Sequence, residues 1–94
     1  ALAVQVGAAT LARNRAETAA DSAALAGALR VLDGANAACG RASSVAAANG
    51  AVMATCVLDG ADVLVTVTVA THLGPLAATA TGRARAGPTA QQAP

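Results

Sequence analysis

Cys39 and Cys56 carry the most chemical potential in this sequence of 94 residues, and they are its only cysteines. Such a pair can form a disulfide, within one chain or between two, or stay as two buried free thiols. Redox and metal roles are disfavoured, because no C-x-x-C occurs and one histidine with two cysteines is too few for a zinc site. Closing a loop of about 17 residues would contribute roughly 3 kcal/mol by the chain-entropy relation. A disulfide would also place the domain outside the cytoplasm, where thiols oxidise and stay oxidised.

His72 is the only side chain whose ordinary pKa suits general-base work near neutrality. It reads as part of a loop, THLGP, beside Gly74-Pro75, with no serine or cysteine nucleophile and carboxylate patterned around it. Ser43 and Ser44 have no partner that singles them out. Asp59 and Asp62 flank an Asp59-Gly60 turn, where aspartate side chains bond the local backbone; cation binding is the alternative. No glycine-rich phosphate loop is present. The chemistry-bearing residues therefore predict a protein that is not an enzyme, with no cofactor, no metal site and no small-molecule substrate.

Composition narrows the partners. The chain contains no aromatic residue, so base stacking, sugar platforms and aromatic cages are excluded. Charged residues make up 12 %, with six arginines against five acids and a net charge of +1. That is about half the usual charged share and supplies no basic stripe for phosphate tracking, so nucleic acid is not an expected partner. About a third of the residues are alanine. A composition of small apolar residues fits helices that approach one another closely, as membrane-embedded and filament-packed helices do.

The elements that would position these residues can be read in order. Residues 1–12, ALAVQVGAATLA, are uncharged and would span only about 18 Å as a helix, against the roughly 30 Å of a bilayer core. With no initiating Met, they read as the trailing end of a longer hydrophobic, membrane-spanning segment; the alternative is an amphipathic helix that is apolar at its start. The helix should run to about Leu32 and stop at Asp33-Gly34. Val4, Leu11, Thr18, Leu25 and Leu32 recur at seven-residue steps, joined by Leu29, as one narrow apolar seam. Arg13, Asn14, Glu17 and Asp21 are placed opposite it as a solvated face, with Arg13 and Glu17 spaced for a weak i,i+4 pair.

A second, shorter helix fits Ala35–Ala48, stopped by Asn49-Gly50 and carrying Cys39. The period then changes to alternation over Ala51–Leu58 and Asp62–Ala70 around the Asp59-Gly60 turn, a strong hairpin signal. Cys56 is expected to share a strand face with Val52, Ala54 and Leu58. Val63, Val65, Val67 and Val69 fall on one face of the second strand, and Leu64, Thr66 and Thr68 on the other. Residues 77–86 read as an edge strand whose Arg83 and Arg85 discourage further pairing. The pattern ends at Pro88, and residues 89–94 are expected to be a disordered tail. The predicted architecture is a single α+β domain over residues 1–88: a long N-terminal helix and a short second helix packed on a three-stranded antiparallel sheet.

The stretch ARNRAETAADSAALAGALR resembles the TadE/TadG-like proteins of Flp (tight-adherence) pili, in which a hydrophobic N-terminal helix runs into such an alanine-rich segment. The order of the remaining pieces is also similar: a Cys-bearing helix with AAANGA, a Cys before the hairpin, DVLVTVTV, and a closing strand with TGRARAGP. The likeness is strongest to the short TadE-like proteins of high-GC Gram-positive bacteria. It implies a pilin-like fold and a minor pilin, anchored in the cytoplasmic membrane through the N-terminal helix of the full-length protein, with its domain outside the cytoplasm or in a surface pilus. It also implies other pilins or Tad assembly proteins as partners. The seam of Val4, Leu11, Leu25, Leu29 and Leu32 would then pack against other pilin helices or against the chain's own sheet. The alternative function is a secreted or surface-released module that binds another protein through its sheet and the His72 region.

Overall fold

The computed structural model describes residues 2–91, with side chains described between Gly7 and Thr89, residue 8 excepted. Two helices pack on one face of a three-stranded antiparallel sheet, an α+β fold. Helix α1 spans Leu2–Ala28, 27 residues and about 40 Å at the standard rise. Its alanine-rich, proline-free sequence has high intrinsic helicity. No helix among the described residues is long and apolar enough to cross a membrane.

The α-helix ends at Ala28, four residues earlier than its composition predicts. From Arg30 the chain tightens to i→i−3 bonds, Arg30 N donating to the Gly27 carbonyl at 2.9 Å and Asp33 N to the Arg30 carbonyl at 3.0 Å. A 3₁₀ turn over Val31–Asp33 follows, and Gly34 at φ 100° lets the chain reverse into α2. The tight exit follows from close packing. Gly27 faces the Ala38 carbonyl and the Ala42 side chain of α2, where a Cβ would be a tight fit at 3.1 and 3.3 Å.

Helix α2 spans Ala35–Ala48, as its sequence predicts, and buries Ala38, Ala42 and Ala46 at four-residue steps. Its end is a Schellman closure: Ala51 N donates to the Ala46 carbonyl at 2.9 Å and Gly50 N to the Ala47 carbonyl at 3.0 Å, with Gly50 at φ 77°. Strands β1 (Val52–Asp59), β2 (Asp62–Leu73) and β3 (Leu76–Ala86) pair in sequential order.

Alternation sorts β2 as predicted: Val63, Val65, Val67 and Val69 are buried under the helices, while Leu64, Thr66 and Thr68 are half-exposed on the outer face. On α1, Ala16, Ala19, Ala20, Ala23 and Ala24 are fully buried against them. Each buried valine contributes about 1.5–3 kcal/mol relative to exposure, whereas each alanine contributes far less and mainly permits close approach.

Three local expectations are corrected. Strand β1 carries a bulge between Met53 and Thr55, so Met53 opposes Val67 and Cys56 opposes Val65. Cys56 therefore shares the inner face with Met53 and Leu58, not with Val52 and Ala54, which are exposed, because one inserted residue inverts the parity of everything before it. The segment Thr71–Leu73 is not a loop: His72 pairs with Ala77 and Leu73 with Leu76, leaving Gly74-Pro75 as a two-residue turn. Of the expected tail, residues 89–91 belong to a single helical turn, α3 (Pro88–Gln91), entered through Gly87 at φ 146° with proline at the first helical position. Residues 92–94 lie outside the described residues.

Candidate functional site

The two cysteines meet. Cys39 in α2 and Cys56 in β1 form a disulfide with their Cα atoms 5.8 Å apart, within the usual span. It ties the second helix to an edge strand. Cys56 reaches Cys39 because, after the bulge in β1, its side chain faces inward on the side that α2 covers.

The apolar seam does not pack on the sheet. Leu11, Leu25, Leu29 and Leu32 are 59, 55, 86 and 101 % exposed, and Thr18 between them is exposed. Val4 lies outside the residues whose side chains are described. At 100° per residue the leucines point almost directly away from the alanine face formed by Ala16, Ala20, Ala23 and Gly27. Of the two packing surfaces expected for the seam, the chain's own sheet is therefore the one it does not use, because the buried side of α1 is the side with the smallest side chains. The physical reason lies in β3. Gly82 sits under α1, and a Cβ at that position would overlap the Ala16 carbonyl. A helix backbone that close to a strand leaves no layer for leucine.

Arg13, Asn14, Glu17 and Asp21 are all exposed, but at 100° per residue they spread along the flank between the leucines and the buried alanines instead of standing together opposite the leucines. Arg13 and Glu17 are not among the described ion pairs, which are Arg30–Asp33, Arg85–Asp59 and Arg85–Asp62. On the far side of the helix end, Leu25, Val31 and Leu32 line an open apolar groove of about 530 Å³ with Ala61, Gly87 and Pro88.

The strongest polar arrangement was not visible in the sequence. Asp62, at the start of β2, is 1 % exposed and is the one charged side chain buried among the described residues. Arg85 Nε donates to Asp62 Oδ2 at 2.8 Å, and Arg85 Nη2 donates to Asp59 Oδ2 at 3.0 Å. The Thr89 amide donates to Asp62 Oδ1 at 3.2 Å. Burial on its own pushes the Asp62 carboxyl up; the hydrogen bonds from Arg85 and from the Thr89 amide, with the guanidinium charge, outweigh it and hold the group below the usual carboxylate range. The Asp62 hydrogen bond, then that to Asp59, raises Arg85 in turn. Asp59 and Asp62 thus serve a cross-strand ion cluster rather than the Asp59-Gly60 turn alone. The available signal was alternation: residues 62 and 85 both fall on the outer face of their strands, but only the register brings them together.

His72 is exposed near the β2–β3 turn, paired with Ala77 through its backbone, and its imidazole makes no side-chain hydrogen bond among the described residues. Ser43 is exposed, and Ser44 Oγ donates back to the Gly40 carbonyl at 3.1 Å within α2. No group of three or more His, Cys, Asp or Glu among the described residues is arranged to hold a metal ion. No family model, characterised protein or solved structure shows significant similarity to the chain.

Proposed function

We propose that this chain is a structural, non-catalytic envelope component: a minor-pilin-like subunit of a Flp (tight-adherence) type pilus assembly or secretion system. Its role is to pack against neighbouring subunits, other pilins or assembly proteins, through one face of α1. The carrying observation is the outward-facing pair Leu11 and Leu25 on a helix whose inner face is alanine, with Leu29 and Leu32 exposed just beyond the helix end. Leu11, Thr18 and Leu25 fall at seven-residue steps, a spacing that keeps one stripe in register with a second helix over several turns. Burying such side chains releases up to about 1.5–3 kcal/mol each before the costs of ordering and association. Two other features support the reading. The disulfide fits an oxidising compartment outside the cytoplasm. The helix-on-sheet architecture fits the pilin-like arrangement that the sequence resemblance implies.

The deciding experiment is in-cell cross-linking of the full-length protein, with mass spectrometry of adducts in sheared-filament, membrane and medium fractions. Adducts to a major pilin or to Tad components are expected. Free, uncross-linked protein in the medium would overturn the pilus reading in favour of a released binding module.

A further inference from the structure

Helix α3 rests lightly on the sheet: Pro88 and Thr89 are exposed, and the turn lies mainly against β2 and β3. Among the described residues Thr89 fixes it across the chain, its amide donating to Asp62 Oδ1 at 3.2 Å with its hydroxyl beside the same carboxylate. The acceptor belongs to the buried carboxylate whose other oxygen is held by Arg85. Gly87 brings the segment in at φ 146°, and a Cβ there would overlap Asp62, so the approach requires glycine. The same segment contributes Gly87 and Pro88 to the groove whose other walls include Leu25, Val31 and Leu32.

We propose that residues 87–91 form a releasable strap, fastened through the Asp62 carboxylate, that sets how far the apolar groove beside Leu25 and Leu32 is open. Fastened, Gly87 and Pro88 form one wall. Released, they leave it, and more of the half-buried Ala28 and Val31, which already line the groove, is uncovered. A short terminal element anchored at a single residue opens at a small fraction of the global unfolding free energy, so the strap can lift while the sheet stays intact. The inference is independent of the pilus reading.

The test is amide exchange by NMR on the whole chain, with binding of an apolar fluorescent dye as the second readout. In the unaltered protein the Thr89 amide is expected to exchange at least about tenfold more slowly than an unprotected amide. In Asp62→Ala that protection is lost and dye fluorescence rises severalfold, while the Val65 and Val67 amides keep theirs. Removing Asp62 also strips Arg85 of a partner and can disturb the sheet end, so Thr89→Pro is the second variant. It deletes the amide donor together with the Thr89 hydroxyl beside Asp62 and leaves Asp62 and Arg85 paired, at a position early in a helix where proline is tolerated. The same rise in dye binding with unchanged sheet protection is expected. An unprotected Thr89 amide in the unaltered protein, or dye binding by Thr89→Pro equal to that of the unaltered protein, would overturn the proposal.

Discussion

Gly82 of β3 lies directly beneath the Ala16 carbonyl of α1, so close that no side chain fits between strand and helix. This one approach determines how α1 is rotated. With the helix backbone resting on the strand, its inner face accepts only alanine and glycine, and leucine must point outward. Gly82→Ala forces helix and strand apart, an overpacking change that costs about 1–3 kcal/mol or more where the obstacle is backbone. The expected result in chemical denaturation is a large loss of midpoint, since small domains carry only about 5–15 kcal/mol in total. A midpoint within error of the unaltered protein would show that the crossing is looser than described.

The ridge and the core should respond oppositely to mutation. Val67 is fully buried, and Val67→Ala should cost about 2 kcal/mol through lost burial and a residual cavity. Leu25→Asp, on the exposed ridge, should stay within about 0.5 kcal/mol in the isolated domain. On the proposed function it should abolish assembly in cells. Thermal unfolding checks the first pair of values, and filament yield checks the last.

Reduction of the disulfide should remove roughly 3 kcal/mol, the chain-entropy estimate for a loop of this length. In a domain of this size that corresponds to a fall in melting temperature of about 12–24 °C. Differential scanning calorimetry with and without reductant measures it, and the Cys39→Ser, Cys56→Ser double variant should reproduce the reduced value without added reductant. Alkylation of both cysteines in the native, oxidised protein would contradict the bond.

Asp62 links stability to pH with a definite sign. Its folded-state pKa is below the ordinary value of 3.8, so its contribution is present above that pH and lost as pH falls through the lowered value. The groups facing it are Arg85 from β3, which stays charged, the Thr89 amide from α3, and, through Arg85, Asp59 from β1. Asp62→Asn should therefore be less stable than the unaltered protein at neutral pH, and the two should converge below pH 3.8. Unfolding measured at several pH values gives both curves; parallel curves would remove Asp62 from the acid linkage.

Most elements were legible in the residues themselves. Asn49-Gly50 placed the end of α2, Asp59-Gly60 the first hairpin turn, and the valine alternation the buried face of β2, because each rests on local dihedral preference or a two-residue period. Where local signals misled, a non-local constraint had intervened: the bulge at Ala54 inverted the start of β1, and continued pairing drew His72 into β2.

The amino-acid sequence thus determined by itself the order of two helices and three strands, the face of the central strand that would be buried, and the two cysteines available for pairing. Only the tertiary structure decided that the leucines of α1 face solvent, that Arg85 reaches Asp62, and that Gly87 brings the chain up against that carboxylate. The reason is common to all three. Hydrophobicity ranks leucine above alanine for burial, and alternation only assigns a residue to a face. How closely two backbones approach, and which residues stand opposite one another across strands, depend on contacts between residues far apart in the chain.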